Sequence, residues 1–378
     1  MAATEYRVGI IGLGRPRNTE GWTGWGMAHR HADGYNATGG KCRIVALCDT
    51  VEEKARLFND EHAGGEAALY TDYQTMLADE QIDILSVCTW PALHAPMVIA
   101  AAEAGVKAIH CEKPMAPTWG EAKKMAAACS EKGVQLSFDH QRRFLESFRT
   151  ARQLVKDGAI GELKRMEGAC SNMMDWGTHW INMFLYYNDE EPATWVMGQV
   201  DVRKPLHVYG VPHDTHGVSV MHFANGVVAT LYTGEGANEI VGCSNRLIGT
   251  EGTIEVHNGE PSVRVRGRGD AELRPAELLT VEGGIHGDRA ITRAIADVVE
   301  SLDTGRKPLL SVDNALKTTE IIFATYESAR RRGRVDLPLD IEDSPLTSLV
   351  EQGAYPAAGT TGLLETSGAA PSAHLRGA

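Results

Sequence analysis

The stretch GLGRPRNTEGWTGWGMAH, residues 12–29, decides the fold. It follows an apolar hexapeptide, residues 6–11 (YRVGII), that reads as a buried strand, so Gly12 and Gly14 stand where a strand turns into a phosphate-binding loop. A dinucleotide fingerprint needs its third glycine three residues after Gly14, and Arg17 stands there instead. Further on, Gly26 is followed by the helix-forming Met27, Ala28 and His29. Residues 15–25 number eleven where the ordinary fingerprint has two, an addition of nine. The loop is therefore read as extended: Gly12 permits the tight turn, Gly14 the close approach of backbone to a pyrophosphate, and Gly26 opens a helix whose N-terminal amides face the anion.

The surrounding sequence repeats the strand-helix alternation. Apolar strands at 43–48 (RIVALC), 82–88 (IDILSVC), 106–110 and 134–138 are separated by helical stretches at 51–62, 93–104 and 119–132. Near-continuous apolar strands between amphipathic helices predict an α/β Rossmann-type, doubly wound parallel sheet over residues 1–138. After a helix near 144–157 the pattern changes. Ala224-Asn225-Gly226 lies between VSVMHF and VVATLY, and residues 249–252 (GTEG) lie between NRLI and TIEV; both read as hairpins. Residues 139–340 are expected to form an α+β domain with an open, mostly antiparallel sheet, closed by helices at 287–302 and 314–331. From 341 to 378 the chain is rich in Gly, Ala, Ser, Thr and Pro, which predicts an arm or flexible tail.

Composition excludes several classes. With 50 acidic and 37 basic residues among 378, the formal charge is -13, which argues against nucleic acid or an anionic membrane as partner. No apolar run approaches a membrane span and the N-terminus does not read as a signal peptide, so a cytoplasmic location is expected. Seven cysteines without a C-x-x-C pair read as buried reduced thiols. No metal site is expected, because nothing supplies a third ligand beside Asp175 and His179 at convincing spacing.

Asp49 ends the second strand, where a carboxylate accepts hydrogen bonds from adenosine ribose hydroxyls and repels a 2′-phosphate. NAD is favoured over NADP on that ground, with Lys54 and Arg56 on the next helix pulling the other way.

Two further strings, Glu112-Lys113-Pro114 and Asp175-Trp176-Gly177-Thr178-His179, together with Thr89, Pro91 and His94 in CTWPALH, resemble the Gfo/Idh/MocA oxidoreductase family over roughly residues 6–340. The extended loop and the segment after 340 depart from the family pattern. The resemblance implies that Thr89, Pro91, His94, Glu112 and Lys113 line the cofactor, that Lys113, Asp175 and His179 form the reacting group, and that the chain assembles as a homodimer or homotetramer. The chemistry gives an independent reason for the reacting group. Oxidising a carbinol needs a base for the hydroxyl proton, stabilisation of the developing alkoxide, and a nicotinamide facing the carbon that loses hydride. Asp175 and His179, four apart at a helix start, share one face, so the carboxylate either reinforces the imidazole or itself holds substrate. Lys113 projects from a strand end into the crevice. Taken singly, an Asp-x-x-x-His pair is ordinarily a surface pair and a strand-end lysine is ordinarily solvated; their joint occurrence with the fingerprint favours catalysis.

Arg15 and Arg17 in the loop, and His140, Arg142 and Arg143 after the last parallel strand, gather cations around one crevice of an acidic protein. They bind an anionic group on a sugar, carboxylate, phosphate or sulfonate, or else they brace the pyrophosphate and pair with acids at the domain boundary. Trp22, Trp25, Trp90 and Trp176 offer apolar faces to a sugar ring or belong to the core. The leading function is hydride transfer between NAD and a secondary hydroxyl of a sugar, sugar derivative or cyclitol. The alternative is an NAD-dependent glycosidase that oxidises C3 transiently, eliminates, adds water and re-reduces; a third reading is a non-catalytic sensor.

Overall fold

The computed structural model describes residues 5–16, 19–22, 24–202, 206–260, 262–279 and 289–351. Arg17 lies outside them, so its expected role is not addressed by the fold. The first half carries strands β1 (Tyr6–Ile11), β2 (Cys42–Cys48), β3 (Ala68–Tyr70), β4 (Ile84–Val87), β5 (Ala108–Cys111) and β6 (Gln135–Phe138). Between them run helices α1 (Met27–Asn36), α2 (Glu52–His62), α3 (Tyr73–Asp79), α4 (Pro91–Glu103) and α5 (Trp119–Lys132). The strands form one parallel sheet in the order β3-β2-β1-β4-β5-β6. That order reverses between β1 and β4, and in such sheets the crevice beyond the strand ends at the reversal receives the ligand. The sequence pattern misses β3 and α3, because three residues of strand and seven of helix carry too little periodicity to register.

A 3-10 turn (Gln141–Phe144) and α6 (Glu146–Lys156) lead into the second half. Its strands are β7 (Leu163–Cys170), β8 (Ala193–Asp201), β9 (Leu206–Val208), β10 (Val211–His213), β11 (His216–Phe223), β12 (Val228–Gly234), β13 (Asn245–Gly249), β14 (Thr253–Val256), β15 (Val263–Arg266), β16 (Arg274–Pro275) and β17 (Val335–Asp336). Its helices are α7 (Gly177–Tyr187), α8 (Ala237–Val241), α9 (Arg289–Thr304), α10 (Val312–Arg331) and α11 (Pro345–Glu351). Nine strands form a sheet in the order β16-β15-β14-β13-β7-β12-β11-β8-β17, with β9 and β10 as a separate hairpin. Within the nine, only β7 and β12 run parallel, so the sheet is mixed and mostly antiparallel, as the hairpin turns predict. Both predicted turns are present, at Gly226 between β11 and β12 and at Gly252 between β13 and β14.

The helix expected at 287–302 goes elsewhere. α9 packs Ile291, Ile295, Val298 and Val299 into the same core as Val8, Ile10, Tyr35 and Ile84, on the parallel sheet and not on the mixed one. Right-handed crossovers place α1 and α2 on one face and α4 and α5 on the other, leaving β5 and β6 bare on the α1 side. α9 covers that side: a Cβ on Gly34 of α1 would sit 2.8 Å from Ile295 Cγ1, and Gln135 Nε2 of β6 donates to Val298 O. The helix expected at 314–331 does close the second half, since α10 buries most of its length and Tyr326, Thr325 and Ser328 bond into the mixed sheet region.

The start of the segment from 341 packs as an arm. Trp119 Nε1 donates to Leu339 O, Gly120 N to Glu342 O and Lys123 Nζ to Ile341 O, and α11 buries Leu346 and Leu349, so residues through 351 are strapped along α5 and α10. Residues 352–378 lie outside the described residues. All seven cysteines are free thiols, six of them buried. Among the described residues no helix is long and apolar enough to cross a membrane.

Candidate active site

A crevice of about 1860 Å³ opens at the ends of the parallel strands and runs from the glycine loop to the start of α7. Its nucleotide end is built by the turn after β1. Gly12 holds φ +83, and a Cβ there would lie 2.7 Å from Thr89 Cγ2 and 2.9 Å from the Cys88 carbonyl carbon, so only glycine lets β1 and β4 deliver their turns side by side. Asp49 fixes this turn from β2: Oδ2 accepts from Leu13 N at 3.0 Å and Gly14 N at 3.4 Å, while Oδ1 accepts from Val51 N. Gly26 caps α1 at φ +67, and a Cβ there would fall 2.7 Å from Pro16 Cα. The chain leaves the fingerprint at Pro16 and rejoins it beside the same atom at Gly26, so the described residues between them, 19–22 and 24–25, form a lobe outside the phosphate turn. Trp22, Gly24 and Trp25 of that lobe line the crevice. Space beside Gly24 is bounded 3.4 Å away by Tyr209 from the β9–β10 turn, whose ring lies 6.3 Å from that of Trp90.

The other end is built by the segments after β5 and β7. Lys113 Nζ donates to Asp175 Oδ1 at 2.6 Å and to Asp175 O at 3.3 Å, both side chains mostly buried at the crevice wall. Asp175 is held from behind by Asn172, whose Oδ1 accepts from Asp175 N and Trp176 N, and by Asp214, which accepts from Met173 N, Thr233 Oγ1 and Tyr326 OH. Burial raises the Asp175 carboxyl, but the Lys113 charge and hydrogen bond outweigh it and leave it below the usual range, so it is a carboxylate. His179, on the first turn of α7, lines the same wall, and its buried Nδ1 has no hydrogen-bond partner among the described residues. Burial, then the charges of Lys113, Arg142 and His140, push this imidazole well below the ordinary histidine value, so it is neutral. Asp175 therefore supports Lys113 and makes no hydrogen bond to His179.

Arg142 also lines this wall. Its guanidinium lies 4.1 Å from the Trp180 ring centroid and 5.6 Å from that of Trp176, and among the described residues it has no carboxylate or hydrogen-bond partner. Burial lowers it to about 10, which leaves it charged at neutral pH. A stacked cation with free in-plane donors at a crevice wall is suited to bind a carboxylate or similar anion.

The profile of the oxidoreductase family with an NAD-binding Rossmann fold matches residues 6–140, and that of the GFO/IDH/MocA C-terminal domain matches residues 171–255. The chain belongs to the Gfo/Idh/MocA oxidoreductase family. It is 27% identical over 336 residues to D-apiose dehydrogenase of Paraburkholderia graminis, covering 82% of this chain and 87% of that protein. It is 29% identical over 163 residues to D-glucoside 3-dehydrogenase of Escherichia coli, covering 43% and 42%. Among solved structures, levoglucosan dehydrogenase in complex with NADH superposes with a TM-score of 0.74 at 21% identity, over 89% of this chain and all of that one, which is a likeness of fold.

In this Gfo/Idh/MocA protein the crevice gathers Gly12, Gly14, Gly26, Asp49, Thr89, Trp90, Pro91, Glu112, Lys113, Arg142, Asp175, Trp176 and His179 of the residues singled out from sequence. Four others lie elsewhere. His94 is wholly buried between Thr89 O on Nε2 and the Pro114 and Met115 carbonyls on Nδ1, so it ties the β4 turn to the Lys113 segment without facing the cofactor. Arg143 points away from its neighbour, into an ion pair with Glu190 at 2.5 Å and bonds to Asn182. His140 is buried behind His179, with Nε2 on Thr178 Oγ1 and ring centroids 6.0 Å apart. Arg15 turns back to donate to Glu20 O inside its own lobe. Sequence reasoning passed over Asn172, Asp214 and Tyr209. An Asn three residues before Asp175 is a visible turn-capping signal; the other two have none.

Proposed function

We propose that this protein is an NAD-dependent dehydrogenase that oxidises a secondary hydroxyl of a sugar carrying an anionic substituent. The observation that carries this is the joining of the Lys113–Asp175 pair, the neutral His179 and the unpaired Arg142 guanidinium on one wall of a crevice whose other end is a glycine turn. The glycine turn and Asp49 fit a dinucleotide, because Gly12 permits a turn that a Cβ would drive into Thr89 and the Cys88 backbone, and such a turn lets backbone amides approach a pyrophosphate. A nicotinamide bound there supplies the hydride acceptor.

The chain's own groups supply the rest. Lys113, fixed by Asp175, places a positive charge where the substrate oxygen becomes alkoxide-like and so lowers the pKa of that hydroxyl. His179 receives the hydroxyl proton as general base. Its low basicity, set partly by Arg142, rises when an anionic substituent sits against the guanidinium and offsets that charge, so substrate binding and proton acceptance are coupled. Trp176 and the half-exposed Trp90 offer apolar faces along the same wall.

Asp49 at the adenosine end supports NAD over NADP, and of the two cations that argued otherwise Arg56 is already bonded to Glu53. Seven free thiols support a cytoplasmic location, and Met197, exposed on β8, supports homo-oligomer formation through the open face of the mixed sheet. The test is NADH formation from NAD with a panel of uronic acids beside their neutral parents. NADH from the acids supports the reading. Release of an aglycone from an anionic glycoside with no net NADH replaces it with the redox-neutral glycosidase, and silence towards every acid removes the role given to Arg142.

A further inference from the structure

Beneath the crevice, a second group of side chains converges that the hydride-transfer reading does not use. His31 on α1, His110 at the end of β5 and Asp139 just after β6 are each wholly buried, and one ligand atom from each lies within 4.8 Å of the others. Glu112 stands beside His31, outside that mutual spacing: His31 Nε2 is 3.3 Å from Glu112 Oε1 and 3.9 Å from Asp139 Oδ2, and His110 Nε2 is 3.8 Å from Asp139 Oδ1. His31 Nε2, His110 Nε2, Glu112 Oε1 and both Asp139 oxygens have no hydrogen-bond partner in the described protein. No lysine or arginine among the described residues pairs with either carboxylate; Lys113, the neighbouring cation, is bonded to Asp175.

The outward nitrogens show what faces inward. Ser137 Oγ donates to Ile109 O and so accepts from His110 Nδ1–H at 2.8 Å, which leaves the neutral ring's Nε2 as a bare lone pair aimed at the Asp139 carboxylate. His31 Nδ1 is likewise held outside, by Ser86 Oγ, itself bonded to Tyr35 OH. Imidazoles whose far nitrogen is tied by a hydroxyl while the near one meets carboxylates form the second-shell pattern of a metal ligand set. Tetrahedral ligands at about 2.0–2.1 Å from zinc stand roughly 3.4 Å apart. The Asp139 oxygens lie 3.9 Å from His31 Nε2 and 3.8 Å from His110 Nε2, and the three ligand atoms, all within 4.8 Å of one another, draw together by up to about 1.4 Å on binding.

We propose that His31, His110 and Asp139 bind one divalent transition-metal ion of the zinc class, with the Glu112 carboxylate beside His31 adding to its charge balance. Two imidazoles with a carboxylate favour such an ion over magnesium or calcium, and the Asp139 and Glu112 charges together neutralise it. The ion ties α1 to the ends of β5 and β6 and fixes the segment that carries Lys113. Glu112 and Cys88, which line the crevice floor, give it a way in. This proposal does not depend on which substrate the crevice takes.

Metal content by mass spectrometry of the full chain, expressed with zinc, is the first measurement. About one equivalent is expected in the wild type and in His62→Gln, which alters the separate His29–Glu61–His62 group. Asp139→Asn and His110→Asn should retain at least about tenfold less. Because those variants disturb a buried site, the second measurement uses the wild type alone: chelator-stripped protein titrated with cobalt should show the visible d–d bands of a four-coordinate nitrogen and oxygen site, displaced by zinc. Undiminished metal in Asp139→Asn, loss caused by His62→Gln instead, or a stripped, folded wild type that binds neither zinc nor cobalt overturns the assignment.

Discussion

Replacing Arg142 with Met separates substrate recognition from chemistry. The side chain lies along Trp176 and Trp180 with its guanidinium 4.1 Å from the Trp180 ring, and methionine keeps an apolar stem there while removing the charge. A full Coulomb interaction between an anion and a cation 4 Å apart at an effective dielectric near 20 is about 4 kcal/mol. Desolvating both groups consumes part of that, and hydrogen bonds to charged groups contribute roughly 1.5–3 kcal/mol net. A selective loss of about 2–3 kcal/mol therefore follows, or roughly 30- to 150-fold in kcat/KM for a uronic acid. The neutral parent sugar never uses the charge, so its kcat/KM should change by about threefold or less. A second consequence has a definite sign. The Arg142 charge helps depress His179, so in Arg142→Met the acid limb of the pH profile on the neutral sugar should move to higher pH. The assay is initial-rate NADH absorbance on acid and parent-sugar pairs across pH. Equal losses on both sugars, with an unmoved acid limb, refute the reasoning.

The remaining expectations follow from the same geometry. Lys113→Met should lower kcat by at least about 10³-fold, the scale of losing a preorganised charge at a developing oxyanion, while calorimetric NAD affinity changes by only about threefold. In the wild type, kcat/KM for oxidation should fall only as pH drops below the ordinary histidine value of 6.5, because the neutral form of His179 is the active base and its pKa is depressed; a limb at or above that value assigns the base elsewhere. Gly12→Ala forces a Cβ against Thr89 and the Cys88 backbone at positive φ, and should weaken NAD binding at least about tenfold and lower Tm, read by calorimetry and thermal unfolding. Arg143→Met breaks a pair whose Glu190 partner is only partly exposed, and should cost about 2–3 kcal/mol in urea unfolding with the active site intact.

The parts of this fold that were legible in the sequence are those where one local pattern has one physical solution. Continuous apolar strands demand cover on both faces, and a glycine turn after the first of them demands an anion; Gly26 was recoverable across the lobe because helix-forming residues follow it. α9 shows the limit. Its spacing of Ile291, Ile295, Val298 and Val299 states that it is amphipathic but not which sheet it covers, and the bare side of β5 and β6 exists only once the crossovers are made. Adjacent arginines show it again. Arg142 and Arg143 are indistinguishable as a dipeptide, and their opposite fates are set by Trp180 and Glu190, about 40 residues downstream. His94, His110, His140 and His179 are all buried, and only packing separates the buttress from the base. His31 and His110 carry no local signal, because their cluster is assembled from three separate segments, α1, the end of β5 and the residue after β6.

The central claim is that Lys113 and His179 act on one substrate atom beside a nicotinamide ring. A crystal structure of Lys113→Met with NAD and a uronic acid tests it directly. The account predicts the reacting hydroxyl within about 3 Å of the His179 imidazole, its carbon facing the ring, and the carboxylate against Arg142. A sugar bound with every hydroxyl beyond reach of His179, or a nicotinamide ring turned away from that wall, contradicts it.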